Sequence, residues 1–314
     1  MATLLSSLLG TKKIDIELLV VAGGGGGSYT VTATQSPSPT IRFIDTKQGA
    51  GGGGGGVFYG VVPINPGSTC PIVVGGGGAG AFGLWPGTGS IIFTGAASGS
   101  PSVFSAPSIR YESYGGGAGG GILPSGPNPV FAGTKGADGG SGGGSSGSLS
   151  PGQADIGYSL HTVGPYTNQT PLPFGGGAFY GNNGWEGTSG PFGPGSAAGG
   201  YGGSSAFVTT VAGITTMYGV GGFGSLASSS SPERRGFTNS PLVNTGHGGS
   251  GYPSAPAAPV PSVVAQTGAP GLVIVRYPTS LSAAPAFPGA TDISPSTPGY
   301  RTYRFTSPGS ITLP

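Results

Sequence analysis

The sequence predicts an all-β protein, a short-stranded sheet or sandwich combined with packed polyglycine-II-like extended segments and almost no helix. Three observations carry this expectation. Of 314 residues, 71 are Gly and 31 are Pro, and both disfavour helix interiors. The apolar residues, 35% of the chain, fall in compact blocks bounded by glycine runs, as strands bounded by breakers do. Charged residues make up only 6%, whereas disordered chains are rich in charge, so the composition is that of a folded chain.

The strand candidates are short and β-branched. They are Ile14–Ala22, Tyr29–Thr34, Thr40–Ile44, Val57–Ile64, Cys70–Val74, Ser90–Thr94, Ala206–Ala212, Thr215–Val220, Leu272–Tyr277 and the terminal stretch Tyr300–Leu313. Residues 14–22 (IDIELLVVA) and 272–277 (LVIVRY) are nearly continuous apolar runs, which suits strands covered on both faces.

Between them lie glycine runs at 23–27, 51–56, 75–78, 115–121, 139–144 and 175–177, with looser versions at 199–203, 219–224 and 246–251. One reading is flexible linker. The other is a polyproline-II-like helix with three residues per turn and ~3.1 Å rise, which has no internal hydrogen bonds. Packed side by side, such segments exchange N–H and C=O bonds at ~1 kcal/mol net each. Only a bundle of many overcomes the ordering entropy of glycine, and the sequence supplies many.

These blocks divide the chain into an N-terminal segment (1–13), a glycine-rich β/polyglycine domain (14–278), a Pro/Ala/Ser linker (279–298) and a C-terminal β-hairpin (299–314). In the hairpin, Tyr300, Thr302 and Arg304 alternate with Arg301, Tyr303 and Phe305, and Ser307-Pro308-Gly309 supplies a turn.

The order of the blocks resembles the glycine-rich domain of phage tail-fibre, adhesin and related virion structural proteins. The opening strand of that family, E-x-L-V-V-A-G-G-G-G-G, is matched by Glu17–Gly27. Its strand, Pro-Gly turn and strand ending in V-G-x-G-G are matched by residues 57–78, with the turn at Asn65-Pro66-Gly67. Its closing G-x-P-G-V-V-I-V-R-Y is matched by Gly268–Tyr277. The segment resembling G-Y-x-x-Y-x-F-T-x-x-G-x-x-x-x, which in the family commonly precedes the opening strand, stands here at the other end, as Tyr300–Pro314. Two arrangements follow. The hairpin folds back onto its own body, a circular permutation, or it completes the sheet of a neighbouring copy by strand addition. A twenty-residue linker spans ~60 Å fully extended, so its length permits either. In the second case Tyr300, Tyr303, Phe305 and Ile311 are the subunit contacts.

The motifs that carry chemistry do not hold together. Gly78–Gly83 (GAGAFG) fits a dinucleotide fingerprint, but no helix opens after it and no acid appears before Glu112. Gly139–Gly143 (GGSGG) fits a nucleophile elbow formally, but Ser141 lacks the flanking strand and helix and reads as an interruption of a glycine run. His161 and His247 read as ordinary surface or loop residues, and no cluster has metal-ligand spacing. The nine acids are scattered, with no glycosidase pair among them. The lone Cys70 excludes an internal disulfide framework. A net charge of +2 gives no case for nucleic acid or a membrane surface, and no segment has the ~20 apolar residues that span a bilayer.

The expectation is therefore a non-enzymatic virion structural protein without cofactor, metal or membrane insertion, found in the virion and extracellular after lysis. It is a tail fibre or adhesin, or alternatively a head-decoration protein or self-assembling filament subunit. Its partners are other virion proteins, copies of itself and a host surface receptor. Aromatic residues in loop-like, Gly/Pro/Asn-rich sequence resemble aromatic-rich paratopes, which makes Tyr158, Tyr166, Phe179, Tyr180, Trp185 and Tyr201 the candidate receptor contacts.

Overall fold

The computed structural model describes residues 12–28, 33–34, 42–43, 49–84, 92–107, 109–123, 132–133, 136–144, 172–174, 177–180, 207–211, 214–222, 244–251, 262–285, 288–292 and 298–314. Among them are strands only. The first seven are β1 (Ile14–Val21), β2 (Ala33–Thr34), β3 (Arg42–Phe43), β4 (Val57–Ile64), β5 (Thr69–Val73), β6 (Phe82–Leu84) and β7 (Ile92–Thr94). Next come β8 (Ser102–Ala106), β9 (Ile109–Ser113), β10 (Ile122–Leu123), β11 (Ala132–Gly133), β12 (Leu172–Phe174) and β13 (Gly177–Tyr180). The last are β14 (Phe207–Val211), β15 (Ile214–Tyr218), β16 (Ser262–Val264), β17 (Leu272–Pro278), β18 (Ala290–Asp292), β19 (Tyr300–Phe305) and β20 (Gly309–Thr312).

Two antiparallel sheets form a sandwich. One has seven strands in the order β12-β13-β4-β1-β17-β19-β18, the other four in the order β20-β5-β8-β9. The alternation of β1 puts Ile14, Ile16, Leu18 and Val20 against Cys70, Ile72, Phe104, Tyr111 and Ile311 of the smaller sheet. Its other face is also buried near the glycine end, where Leu19 and Val21 meet Val57, Leu272, Ile274 and Tyr218. Cover on both faces accounts for the continuous apolar runs of β1 and β17. At the sandwich floor, Pro66 and Gly67 (φ 74°) make the turn into β5, with Ser68 N–H donating to Asn65 O, the conformation that demands Gly at that position. Where the outer face of the large sheet opens to solvent, a polar ladder crosses four strands. Tyr59 on β4 donates its hydroxyl to Glu17 on β1, Arg276 on β17 donates Nε to Glu17 at 2.6 Å, and its guanidinium lies 4.7 Å from the ring centre of Tyr300 on β19. The pair Glu17↔Arg276 lies directly opposite in the β1–β17 register, so the ladder pins it.

The strands do not stop at the glycine runs but continue through them as a bundle. Residues 22–28 prolong β1 and form its axis. Their N–H groups point in rotation to three antiparallel neighbours. Ala22, Gly25 and Ser28 donate to Gly56, Gly53 and Ala50; Gly23 and Gly26 donate to Ser100 and Ala97; Gly24 and Gly27 donate to Ala269 and Gln266. Their carbonyls accept in rotation from three parallel neighbours. Gly116 and Gly119 donate to Gly23 and Gly26, Gly78 and Ala81 to Gly24 and Gly27, and Gly249 to Gly25. The three-residue period on both sides is that of polyglycine II. The six neighbours also bond to one another in a closed ring. Its order around the axis is 49–56, 114–121, 94–100, 74–81, 265–271, 244–251 and back to 49–56, alternating in direction.

This packing explains the composition. A Cβ on Gly23, Gly24, Gly25, Gly26 or Gly27 would overlap the carbonyl oxygen of Gly76, His247, Gly117, Ala79 or Ser250 respectively. The axis therefore tolerates no side chain at five consecutive positions. Ring segments differ in how many neighbours they meet: Gly52, Gly53, Gly54 and Gly55 each face a carbonyl oxygen, whereas in 265–271 only Gly268 and Gly271, three apart, do. Buried serines tie the bundle at both ends. Ser102 Oγ donates to Val21 O and accepts from Gly75 N–H, both at 2.8 Å, and Ser113 Oγ donates to Val20 O. At the far end Ser28 Oγ donates to Gly120 O at 2.6 Å and accepts from Ala50 N–H.

The C-terminal segment differs from the expected hairpin. β19 pairs with β17 and β18 in the large sheet, whereas β20 pairs with β5 in the small one. The turn between them is a corner that carries the chain from one sheet to the other. Both strands complete sheets of their own chain, and Tyr303, Phe305, Ile311 and Leu313 enter its core. The expected linker is packed as well. β18 lies within it, and Ala284 N–H donates to the hydroxyls of Tyr277 and Tyr303 at 2.8 and 3.1 Å.

Two outcomes follow for substitution. Gly25→Ala drives a methyl into the Gly117 carbonyl and costs about 3 kcal/mol or more, whereas Gly76, with nothing within 4 Å of its Cβ position, accepts Ala with a gain of about 0.4–1 kcal/mol. Denaturant unfolding of the two variants measures the contrast. Phe305→Ala, at a side chain with 0% exposure, costs about 3–5 kcal/mol in the same assay.

Candidate functional site at the crown of the bundle

Segments 22–28, 74–81, 114–121 and 244–251 run away from the sandwich, and 49–56, 94–100 and 265–271 run back towards it. The connections 28→49, 81→95, 121→136 and 251→265 consequently all leave and return at one end. Short antiparallel strands stand there: the pair β2–β3, the sheet β16-β6-β7 and the pair β10–β11. We call this end the crown. The start of β1 (Ile14 opposite Ile64) and the C-terminal Leu313, bonded to Gly67 and Ser68, lie at the opposite end, on the sandwich floor.

β6, β7, β10 and β16 adjoin bundle segments directly, so the backbone bonds of the bundle anchor them at one end. In the three-stranded piece, Val264, Phe82 and Thr94 stand in one row and Val263, Gly83 and Phe93 in the next. Val264 is 57% exposed. Among the crown strand residues, Arg42 alone is charged. Among the described residues no three His, Cys, Asp or Glu come together as a metal cluster. What the crown offers is a set of charge-poor strand positions at the end of the bundle, with Val264 exposed among them.

Tyr158, Tyr166, Trp185 and Tyr201 lie outside the described residues. Phe179 and Tyr180 are on a strand rather than a loop: β13 pairs them with Phe58 and Val57 of β4, so their backbone belongs to the large sheet. Tyr303, Phe305 and Ile311 are buried in their own chain and Tyr300 is 39% exposed, so the contacts expected between subunits are made within one. Gly78–Gly83 runs from the bundle into β6 with no helix after it, and Ser141 is a buried bundle position whose N–H donates to Gly54 O. His161 lies outside the described residues. His247 is not a surface or loop residue but a buried member of the ring. Cys70 is buried too, and desolvation pushes its thiol up to about 11, which keeps it unreactive. Among the described residues no helix is long and apolar enough to cross a membrane.

Sequence reasoning missed the crown because it read glycine runs one at a time. The signal was present: runs that bond to each other with a three-residue period must bring the ends of their connections together.

No curated protein and no solved structure matches the chain. A family model described as a glycine-rich domain matches residues 9–278, from just before β1 to the end of β17. The match takes in the axis and every ring segment of the bundle, and the chain belongs to the glycine-rich domain family.

Proposed function

We propose that this chain is a non-enzymatic presentation scaffold, a tail-fibre or adhesin component of a virion that holds its crown towards a host surface. The observation that carries the reading is the convergence of four connections on the end of the bundle opposite the sandwich floor. Attachment to other virion proteins through the floor leaves the crown facing outward. The backbone-bonded bundle keeps the crown rigid, and preorganised surfaces lose least on binding. Because the axis is held by backbone bonds, the connections can vary with the receptor while the fold stays constant. Pairing of the C-terminal strands within their own chain favours this reading over a filament joined by strand exchange.

The reading is tested with fluorescent full-length protein on a panel of bacterial cells. A companion variant has residues 29–48 replaced by a six-residue Gly/Ser turn, which Ser28 and Ala50, already paired, allow. The full chain binds a subset of the panel. The variant keeps its unfolding midpoint within about 0.5 kcal/mol, as surface changes do, and loses that binding. Absence of binding to every cell, or undiminished binding by the variant, overturns the proposal.

A further inference from the structure

Segment 49–56 is a second axis, and among the described residues one of its sides is unfilled. It accepts from 22–28 (Gly25 N–H to Gly53 O), from 141–144 (Ser141 to Gly54, Gly144 to Gly51) and from 219–222 (Gly222 to Gly52). It donates from Gly52 and Gly55 to 244–251, and from Gly53 and Gly56 to 114–121. These N–H groups turn with the same three-residue rotation as those of 22–28, so Gly51 and Gly54 point to a third side. That side lies opposite 22–28, between 141–144 and 219–222. The Cβ positions of Gly53 and Gly54 meet Ser141 O and Gly219 O at its two borders. Among the described residues the N–H groups of Gly51 and Gly54 have no acceptor. Both residues are nevertheless buried, and a buried N–H without a partner is rare in folded proteins. The burial arises within a single chain, which points to a segment of the same chain as the occupant.

What fits the position follows from the filled ones. Repeatedly, the residue before an acceptor faces the donor's carbonyl and is glycine. Gly53 accepts from Gly25, and a Cβ on Gly52 would strike Gly25 O. The same holds for Ala269 with Gly268 against Gly24 O, for Gly249 with Gly248 against Gly52 O, and for Gly117 with Gly116 against Gly53 O. An occupant with glycine at every third position meets that demand along its length. The chain that leaves β13 has this pattern, since residues 181, 184, 187, 190 and 193 are all Gly. It also starts in the right place. Tyr180 pairs with Val57 on the side of β4 away from β1, and β13 runs antiparallel to β4, towards the crown. Segments 114–121 and 244–251, to which 49–56 already donates, run the same way.

We propose that the side of 49–56 between 141–144 and 219–222 is a docking site for a stretch of residues 181–193, which accepts there from Gly51 and Gly54 and completes the shell of the second axis. The acceptors are carbonyls that follow glycines, those of Trp185 and Thr188 among them. The side chains between the glycines turn away from 49–56, so a stretch carrying Asn, Trp, Glu and Pro joins the bundle through one bare edge. The glycine period does not continue the Tyr180↔Val57 register, which would set Asn182 and Trp185 towards 49–56. The chain therefore shifts after Tyr180, where Gly181 allows a bulge.

Through-hydrogen-bond NMR couplings on the full chain test the docking, since they name the carbonyl that each amide contacts. The amides of Gly51 and Gly54 are expected to couple to two carbonyls three residues apart within 182–191. Their hydrogen exchange is then as slow as that of Gly52 and Gly53, to within about tenfold. Gly184→Val combined with Gly187→Val puts bulk on the docked edge and speeds exchange at Gly51 and Gly54 about tenfold or more relative to Gly52 and Gly53. Asn183→Val combined with Glu186→Val puts the same bulk between the glycines and leaves that exchange unchanged. Coupling of either amide to a carbonyl outside 181–193 overturns the proposal, as does protection that is lost on dilution, the sign of a second copy in the position. Free exchange of Gly51 and Gly54 in the wild type, or equal exchange in the two variants, overturns it too.

Discussion

Everything in this fold depends on backbone groups bonding sideways between segments that have no Cβ. A polyproline-II-like segment satisfies none of its own N–H and C=O groups, and an unpaired buried peptide group costs about as much as a lost hydrogen bond. The axis 22–28 resolves this by surrounding itself with six others, three that accept and three that donate. That solution is available only if backbones approach to hydrogen-bonding distance on every side. Glycine is thus a steric requirement here, and its usual entropic penalty is offset by a complete set of bonds.

The sandwich and the bundle are two regimes of the same strands. Antiparallel neighbours in the sheet remain antiparallel neighbours in the bundle: β1 lies between β4 and β17, and 22–28 donates to 49–56 and 265–271. Where a two-fold side-chain alternation changes to a three-fold rotation, carbonyls of β1 point at the other layer, and Ser102 and Ser113 receive them. The sandwich supplies the apolar burial that a bundle of glycine lacks. Its core of Ile, Leu, Val and aromatic side chains holds the register from which the three-residue pattern continues.

How much of this was legible depended on how many neighbours each segment meets. Gly23–Gly27 is an unbroken run because every position faces backbone, and it could be read directly. So could β1, β4, β5 and β17, whose apolar patterns are strong, and the Asn65-Pro66-Gly67 turn. Segments 94–100 (TGAASGS) and 265–271 (AQTGAPG) were not legible as bundle members: few of their positions must be bare, Gly99 in the first and Gly268 and Gly271 in the second, so Ala, Ser, Thr, Gln and Pro dilute the signal. β8 and β9 escaped for a related reason. Their buried residues, Phe104 and Tyr111, sit among serines that look like loop sequence but serve as buried donors. Ser307-Pro308-Gly309 signalled a turn correctly and its meaning wrongly, since a corner between sheets and a hairpin share the same local chemistry. The crown could not be located from single runs, because it is defined by which ends meet.

The axis has a kinetic consequence. Its bonding partners come from residues 50–56, 78–81, 97–100, 116–119, 249 and 266–269, so its enclosure is complete only when segments from most of the chain are in place. Contacts so distant in sequence form slowly, because loop closure precedes any reward. Once shut, the same interlock must be breached in several places before any one strand can leave, which sets a high barrier to unfolding. The lifetime of the folded state is then governed by the rate of that breach.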